Sequence, residues 1–515
     1  MTSSWRPPIG PGTGPDVEEA TRNRLLRRVD WRFLLPDPGA ARTVCFTSGE
    51  LREAVELIAG ELREPGVRPG DNDLAVVVDP DDSTLEAARA ELRDGACLYG
   101  EWRSPFLSAR SLTRRLLLAG FTDVRCYRPW PSLRATAAWL PLGARGPRSY
   151  FLLRHRRVPG QRGALLVNLV RYVARSLPRW AGLPTTLCAV ARTPAPNSPS
   201  EELDAGPASP GWHWLLLIRG PRSISKVIGL AFRDGSQSPD LVAKIARIPE
   251  AAVGLAREAE ALRVLANRPG GVRGVPRVHQ VRTAPGRFTV METPLSGGPL
   301  WSVLRPSRYR SLALEATSWL SDLALGGGTP VRASPARVVQ PALDRFGRMF
   351  GAVADPGLLQ QTSEALAGLP PLPVVPEQRD FSPWNLFVTG DGTLAVLDWE
   401  SADPEGLPAL DLIYFLSYLA FFHDGAMKSR NFLESYRRAL DPATFSGRVQ
   451  EECLTRYGVS LGVGPPEMRR LRILTWVIHA PSEYRQFEAD AGGTPSNDRL
   501  RESLFFRLWE EEVRR

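Results

Sequence analysis

Apolar and polar positions alternate along this chain with two periods, and the changes of period predict its elements. Leu74 to Val78 (LAVVV) is a short apolar run that stops at Asp79-Pro80, the pattern of a buried strand. Ser83 to Leu92 (STLEAARAEL) follows with helical spacing, and Ser83 is its expected N-cap. Ala96 to Tyr99 then reads as a strand and Leu112 to Leu118 as a helix. Asp123 to Tyr127 and Tyr150 to Arg154 read as two further strands. Strands and helices in alternation predict an α/β, Rossmann-like N-terminal domain.

Residues 196–210 (PNSPSEELDAGPASP) lack either period and read as a linker. Beyond them the strand period returns at Trp214 to Ile218 and Lys226 to Phe232. In PDLVAKIARIP, Leu241, Ala243 and Ile245 face one way, and Val242, Lys244 and Ala246 the other. A helix is expected from Glu250 to Ala266, started by Pro249 and stopped by Pro-Gly-Gly. Arg287 to Glu292 reads as a strand. Leu386 to Val388 and Thr393 to Leu397 flank an Asp-Gly turn and predict a hairpin. The apolar run from Ile413 to Phe422 reads as a buried helix.

At 515 residues the chain exceeds one ordinary core. We divide it into a tail (1–20), an α/β domain (21–156), a basic helix with linker (157–210), and two further parts at 211–296 and 297–515. Five cysteines form no C-x-x-C pair, which argues against a disulfide framework or a zinc site and fits a cytoplasmic protein. No secretory leader pattern is read in the first residues. Net charge is +9, almost all of it arginine; the only lysines are Lys226, Lys244 and Lys428. No nucleic-acid motif accompanies this charge, and no nucleic-acid partner is expected. The Arg-studded helix ALLVNLVRYVARSLPRW suits an anionic membrane surface, but an ordinary packing helix accounts for the same pattern and is the expectation. Oligomeric state is not legible.

The candidate chemistry lies in EQRDFSPWNLFVTGDGTLAVLDWE. Asn385 precedes the first hairpin strand and Asp398 closes the second, so both fall at its open end; Asp380 lies just upstream. Three oxygen-bearing side chains gathered there suit Mg²⁺, which takes one or two protein carboxylates with phosphates and water. Kinases use the same parts: an Asp, an Asn five residues on, and a later Asp. DFSPWNLFV with LAVLDWE resembles the aminoglycoside and choline phosphotransferase family. That resemblance, over residues 211 to 422, implies an α+β bilobal protein-kinase-like fold, ATP and Mg²⁺ as cofactors, and a small-molecule hydroxyl as acceptor. It implies Asp380 as the catalytic residue, Asn385 and Asp398 as metal ligands, and Asp411 as a brace for the loop. Gln378-Arg379 stand where the family usually has His-Gly. That departure motivates an alternative reading, a catalytically weak nucleotide-binding or scaffold protein.

A kinase also needs a strand lysine and a helix glutamate. Lys244, with Val242 on its face, is the candidate cation for the phosphates. Glu258 lies on the apolar stripe of Leu255, Leu262 and Leu265, so it is preferred over Glu260 as the partner of Lys244. Met291, Glu292 and Thr293 are the implied adenine contacts, and Ser223 or Ser225 would cover phosphates. In the N-terminal half, AGFTDVRCYRPWP and SYFLLRHRR resemble the second half of a class I methyltransferase. The Gly-rich turn such an enzyme needs is not found after a strand; Gly10, Gly12 and Gly14 lie in a Pro-rich tail. A degenerate methyltransferase-like domain is therefore expected.

Overall fold

In a computed structural model, residues 15–515 are described apart from 40, 105–106, 155–185, 196–205, 208, 219–225, 285–286, 327 and 492. The Gly10–Gly14 tail, the Arg-studded helix, most of the linker, Ser223 and Ser225 lie outside the described residues. The chain divides into two compact units, Met1–Leu255 with Val278–Pro294, and Ala256–Arg277 with Leu295–Arg515.

Among the described residues the first unit is built on one mixed sheet of twelve strands: β1 (Arg42–Cys45), β2 (Glu61–Arg63), β3 (Asn72–Val78), β4 (Leu92–Arg103), β5 (Thr122–Trp130), β6 (Ala138–Pro141), β7 (Thr186–Arg192), β8 (Trp212–Ile218), β9 (Lys226–Arg233), β10 (Leu241–Ala246), β11 (Val278–Ala284) and β12 (Arg287–Glu292). Its order is β11-β12-β10-β9-β8-β6-β5-β7-β4-β3-β1-β2. The β1–β2, β1–β3 and β3–β4 pairs are parallel, and β7 enters antiparallel between β4 and β5. The strands before and after the linker thus share one sheet. They are joined where β6 pairs with β8, Ala138 opposite Leu217 and Trp139 opposite Leu216. Arg125 pins the linker's end by donating to the carbonyls of Ser209 (2.9 Å) and Trp212 (3.2 Å).

Two local expectations fail. Tyr150 to Arg154 belongs to a helix, Arg145–Arg154, not a strand. Tyr150 packs edge-on to Phe232 and Phe151 to Trp130, so helical spacing lets adjacent aromatics reach two different strands. The helix at Asp82–Glu91 is capped by Asp81, not Ser83, because the Asp81 carboxylate accepts from Thr84 N at 2.8 Å.

The segment before β1 belongs to the core of this sheet. Val29, Trp31, Phe33, Leu34 and Leu35 are buried in one cluster with Trp214, Val227, Ala243, Ile245 and Met291. Trp31 stacks flat on Tyr99 at 3.7 Å. The charges buried with them are paired: Arg28 with Glu101 at 2.6 Å, and Arg247 with Asp30 at 2.8 Å. Arg32 and Arg287 donate to the carbonyls of Arg247 and Pro36. Low dielectric makes such pairs necessary once the charges are buried.

The second unit is mainly helical. Its helices include Tyr309–Leu325, Ala336–Phe350, Leu410–His423, Phe445–Leu461, Pro465–Ala491 and Leu504–Val513. Short strands carry the site: β13 (Gly298–Pro299), β14 (Arg332–Ala333), β15 (Leu372–Pro373), β16 (Val375–Glu377), β17 (Leu386–Val388), β18 (Leu394–Val396) and β19 (Asp403–Gly406). β17 and β18 form the expected hairpin, Leu386 opposite Val396. No helix among the described residues is long and apolar enough to cross a membrane.

Candidate active site

The hairpin sets the geometry of the second unit's site. Its turn closes with Gly392 at φ 89°, where a side chain would be strained. At its open end Leu397 N donates to Asn385 O at 2.9 Å, which brings Asn385 beside the residue before Asp398. Asn385 Nδ2 donates to Asp380 Oδ2 at 2.7 Å and to Asp380 O at 3.0 Å. Both bonds use the amide nitrogen, which leaves Asn385 Oδ1 as an acceptor. Asp380, Asn385 and Asp398 are therefore gathered at one end of one hairpin. The hard oxygens of Asn385 and Asp398 fit Mg²⁺, whose remaining ligands are water and phosphate. No cluster of three or more His, Cys, Asp or Glu that could hold a metal occurs among the described residues.

Gln378 locks this arrangement and is fully buried. Its Nε2 donates to Asp398 O at 2.6 Å and Leu397 O at 3.0 Å, and its Oε1 accepts from Asp380 N at 2.8 Å. One amide thus ties the Asp380 loop to the Asp398 segment. The expectation had noted Gln378 only as a departure; its capacity to donate and accept at once was the signal available.

Arg379 has φ 65°, in the left-handed region that favours glycine, and Asp398 has φ 66°. The strain at Arg379 is offset by its guanidinium, which meets Glu377 and Asp403 at 2.8 Å each, across the β16–β19 pair. Gly406 makes room for Glu377, because a Cβ there would lie 2.3 Å from its carboxyl carbon. Asp411, at the start of Leu410–His423, accepts from Gln378 N at 2.6 Å and Arg379 N at 2.8 Å. Phe381 packs between Trp319 and Phe415 beneath the loop.

Electrostatics single out the same residues. Half-buried Asp380 is pushed up to about 7, first by loss of hydration and then by the charge of Asp398; the Asn385 bond opposes this. Asp411 is also pushed up to about 7, by burial and by Glu377, against the two backbone N–H groups it accepts. Such displaced carboxyls mark functional sites when they cluster.

Glu258 lies on the helix Ala251–Ala266, is 0 % exposed, and accepts from Trp399 N at 2.9 Å, next to Asp398. Glu260 is exposed. In the first unit, Lys244 is buried on β10, with its Nζ 3.0 Å from Glu292 Oε1. The β10–β12 register explains that pair: Val242 opposes Glu292 and Lys244 opposes Val290, so Lys244 and Glu292 are diagonal neighbours on one face. Glu292 as a partner of Lys244 was not foreseen. Met291 is buried on the same strand, and Thr293 follows it.

Residues 229–447 match the model of the APH phosphotransferase enzyme family, so the C-terminal part of the chain carries a phosphotransferase-family domain. Among solved structures, an aminoglycoside phosphotransferase from Alicyclobacillus acidocaldarius is 14% identical with a TM-score of 0.36, covering 63% of this chain and 95% of that one. An aminoglycoside-3'-phosphotransferase of type VIII is 20% identical at 0.36, covering 52% and 94%. A thermostable mutant of aminoglycoside phosphotransferase APH(4)-Ia, in ternary complex with AMP-PNP and hygromycin B, is 13% identical at 0.37, covering 58% and 93%. Comparison with curated proteins gives no match.

Proposed function

We propose that the protein is an ATP- and Mg²⁺-dependent phosphotransferase acting on a hydroxyl group of a small molecule. The observation that carries this reading is the gathering of Asp380, Asn385 and Asp398 at the hairpin's open end, tied together by Gln378. Asp380 orients the acceptor hydroxyl and takes up its proton; a carboxyl near 7 is poised for that transfer. Asn385 and Asp398 would hold Mg²⁺, which when bound supplies charge stabilisation to the phosphates. Lys244, oriented by Glu292 and assigned with Glu258 to the same role, serves the α/β-phosphates. Val242, Glu292, Thr293 and the backbone at Met291, whose side chain is in the core, are assigned to the adenine, and Ser223 is assigned to the phosphates. Trp384, half-buried against Tyr418 and one residue before Asn385, supplies an acceptor wall.

Gln378-Arg379 support activity in this reading rather than its loss. Gln378 holds the loop, and the Arg379 side chain is directed to Glu377 and Asp403. We further propose that the N-terminal part retains a Rossmann-like, methyltransferase-type domain without methyl transfer. Parallel β2-β1-β3-β4 with an antiparallel β7 supports the fold. After β1 the chain runs Phe46-Thr47-Ser48-Gly49, with only one glycine for a cofactor turn. Five buried free thiols suit a cytoplasmic setting.

The test is incubation with ATP, Mg²⁺ and host extract, followed by mass spectrometry for metabolites that gain a phosphate. Parent protein should yield such a species and Asp380→Asn should not. Equal yields from both would contradict the assignment.

A further inference from the structure

The helix Arg145–Arg154, in the N-terminal part of the chain, packs on the sheet face that carries Val242 and Lys244. Alternation along β9 sends Ile228, Leu230 and Phe232 to one face and Val227, Gly229 and Ala231 to the other. Residues paired across strands share a face. Val242 opposite Leu230 and Lys244 opposite Ile228 therefore lie with the first set, as do Leu215 and Leu217 of β8. On the other face, Val227 and Ala231 join the cluster of Ala243, Ile245 and Trp31. Phe151 is buried in one cluster with Leu215, Ile228, Leu230 and Phe232, so its helix covers part of the Lys244 face.

Close packing holds the helix there. A Cβ on Gly146 would lie 1.9 Å from Ser236 O, so glycine is what lets the helix start sit against the β9–β10 turn. Tyr150 meets Phe232 edge-on, with 5.5 Å between ring centroids. Phe232 is the diagonal neighbour of Val242, so one side chain separates Tyr150 from Val242. Along the strands the order is then Tyr150 at the level of Phe232, next Val242, and next Lys244. Four residues of extended strand span about 13 Å, a length that suits a purine with its ribose and first phosphates.

Burial at this contact is uneven. Phe151, Leu215, Leu230 and Phe232 are closed off, whereas Tyr150, Leu152, Leu217 and Val242 are half-buried at the margin of the cluster. An apolar margin left open beside a lysine suits a ligand with a flat apolar body and an anionic tail. The match to the phosphotransferase family begins at residue 229, inside β9, so this helix lies outside it. We propose that Tyr150 is a nucleobase-contact residue supplied by the N-terminal part, with the purine on Val242, the Tyr150 ring against it and the phosphates toward Lys244. This rests on the phosphotransferase reading and gives the N-terminal part a share in nucleotide binding.

The experiment uses the full chain. Photolysis with Mg²⁺ and 8-azido-ATP, whose azide is on the base, should label the tryptic peptide 149–154, and excess ATP should suppress that label. Tyr150→Leu keeps apolar bulk against Phe232 and loses the ring. By isothermal titration it should weaken ATP and adenosine about tenfold each, the usual worth of one aromatic–base contact. Tyr150→Phe should bind both as the parent does. Tripolyphosphate, which has no base, should bind Tyr150→Leu and parent alike. ATP-protected label confined to other peptides would overturn the proposal and leave the phosphotransferase reading in place. Equal adenosine affinity in parent and Tyr150→Leu would do the same, as would a tripolyphosphate loss as large as the adenosine loss. Absence of any ATP-protected label would overturn both. Labelling needs no variant, so its outcome stands even where Tyr150→Leu fails to fold.

Discussion

Replacing Asp380 by Asn should stabilise this protein, and only above a defined pH. The Asp380 carboxyl is held at about 7 by lost hydration and by Asp398, against about 3.9 in the unfolded chain. Between those values the folded protein keeps a proton that the unfolded chain has released. Stability therefore falls as pH rises from about 4 to about 7, and the full penalty remains above 7. A gap of about 3 pH units corresponds to at most about 4 kcal/mol. The side chain is only half-buried, so we expect about 2 kcal/mol. Asn keeps an oxygen to accept from Asn385 and carries no charge opposite Asp398. Urea unfolding of parent and variant, without metal or nucleotide, should give equal stability near pH 4 and a variant about 2 kcal/mol more stable at pH 8. Asp411 titrates alike in both and cancels. A variant that parallels the parent at every pH would refute the electrostatic account of this site.

Other outcomes follow from the same geometry. Gln378→Leu removes the tie between the Asp380 loop and Asp398; turnover should fall about 100-fold through misplacement, with a stability loss of about 1–3 kcal/mol. Unchanged kcat in a folded variant would exclude the positioning role. Asp398→Ala, or removal of metal by EDTA, should abolish the thermal shift given by ATP, whereas a shift that persists in both would remove Asp398 as a ligand. Arg247→Met strands a fully buried Asp30 carboxylate and should cost about 3–5 kcal/mol in urea unfolding. Most of that loss should return on adding Asp30→Leu, and a double variant as weak as the single would show that the pair is not the cause.

How far the site was legible depended on how local its geometry is. Asn385 and Asp398 flank one hairpin and Asp380 lies just upstream of it, and the hairpin's register follows from an Asp-Gly turn and two apolar runs. Glu258 was separable from Glu260 because helical spacing alone puts one on the apolar stripe and the other in solvent. The Lys244–Glu292 pair needed the β10–β12 register, which local periodicity does not supply. Gln378 and Arg379 read as departures until their partners were visible, because Asp411, Asp403 and the Asp398 carbonyl lie 20 or more residues away.

From its own pattern the chain determined many of its strands and helices, though not the helix at Arg145–Arg154, as well as where a hairpin brings two acids and an amide together, and which lysine stands out. Those are properties of a few adjacent residues, fixed by sterics and by the spacing of apolar side chains. Only the tertiary structure decided that strands on both sides of a Pro/Ser-rich segment complete a single sheet, and that Trp31 and Asp30 are buried beneath the lysine-bearing part of it. Sheet order and burial arise from contacts between residues far apart in sequence. Many pairings satisfy each strand locally, and the one adopted is set by the joint packing of all of them.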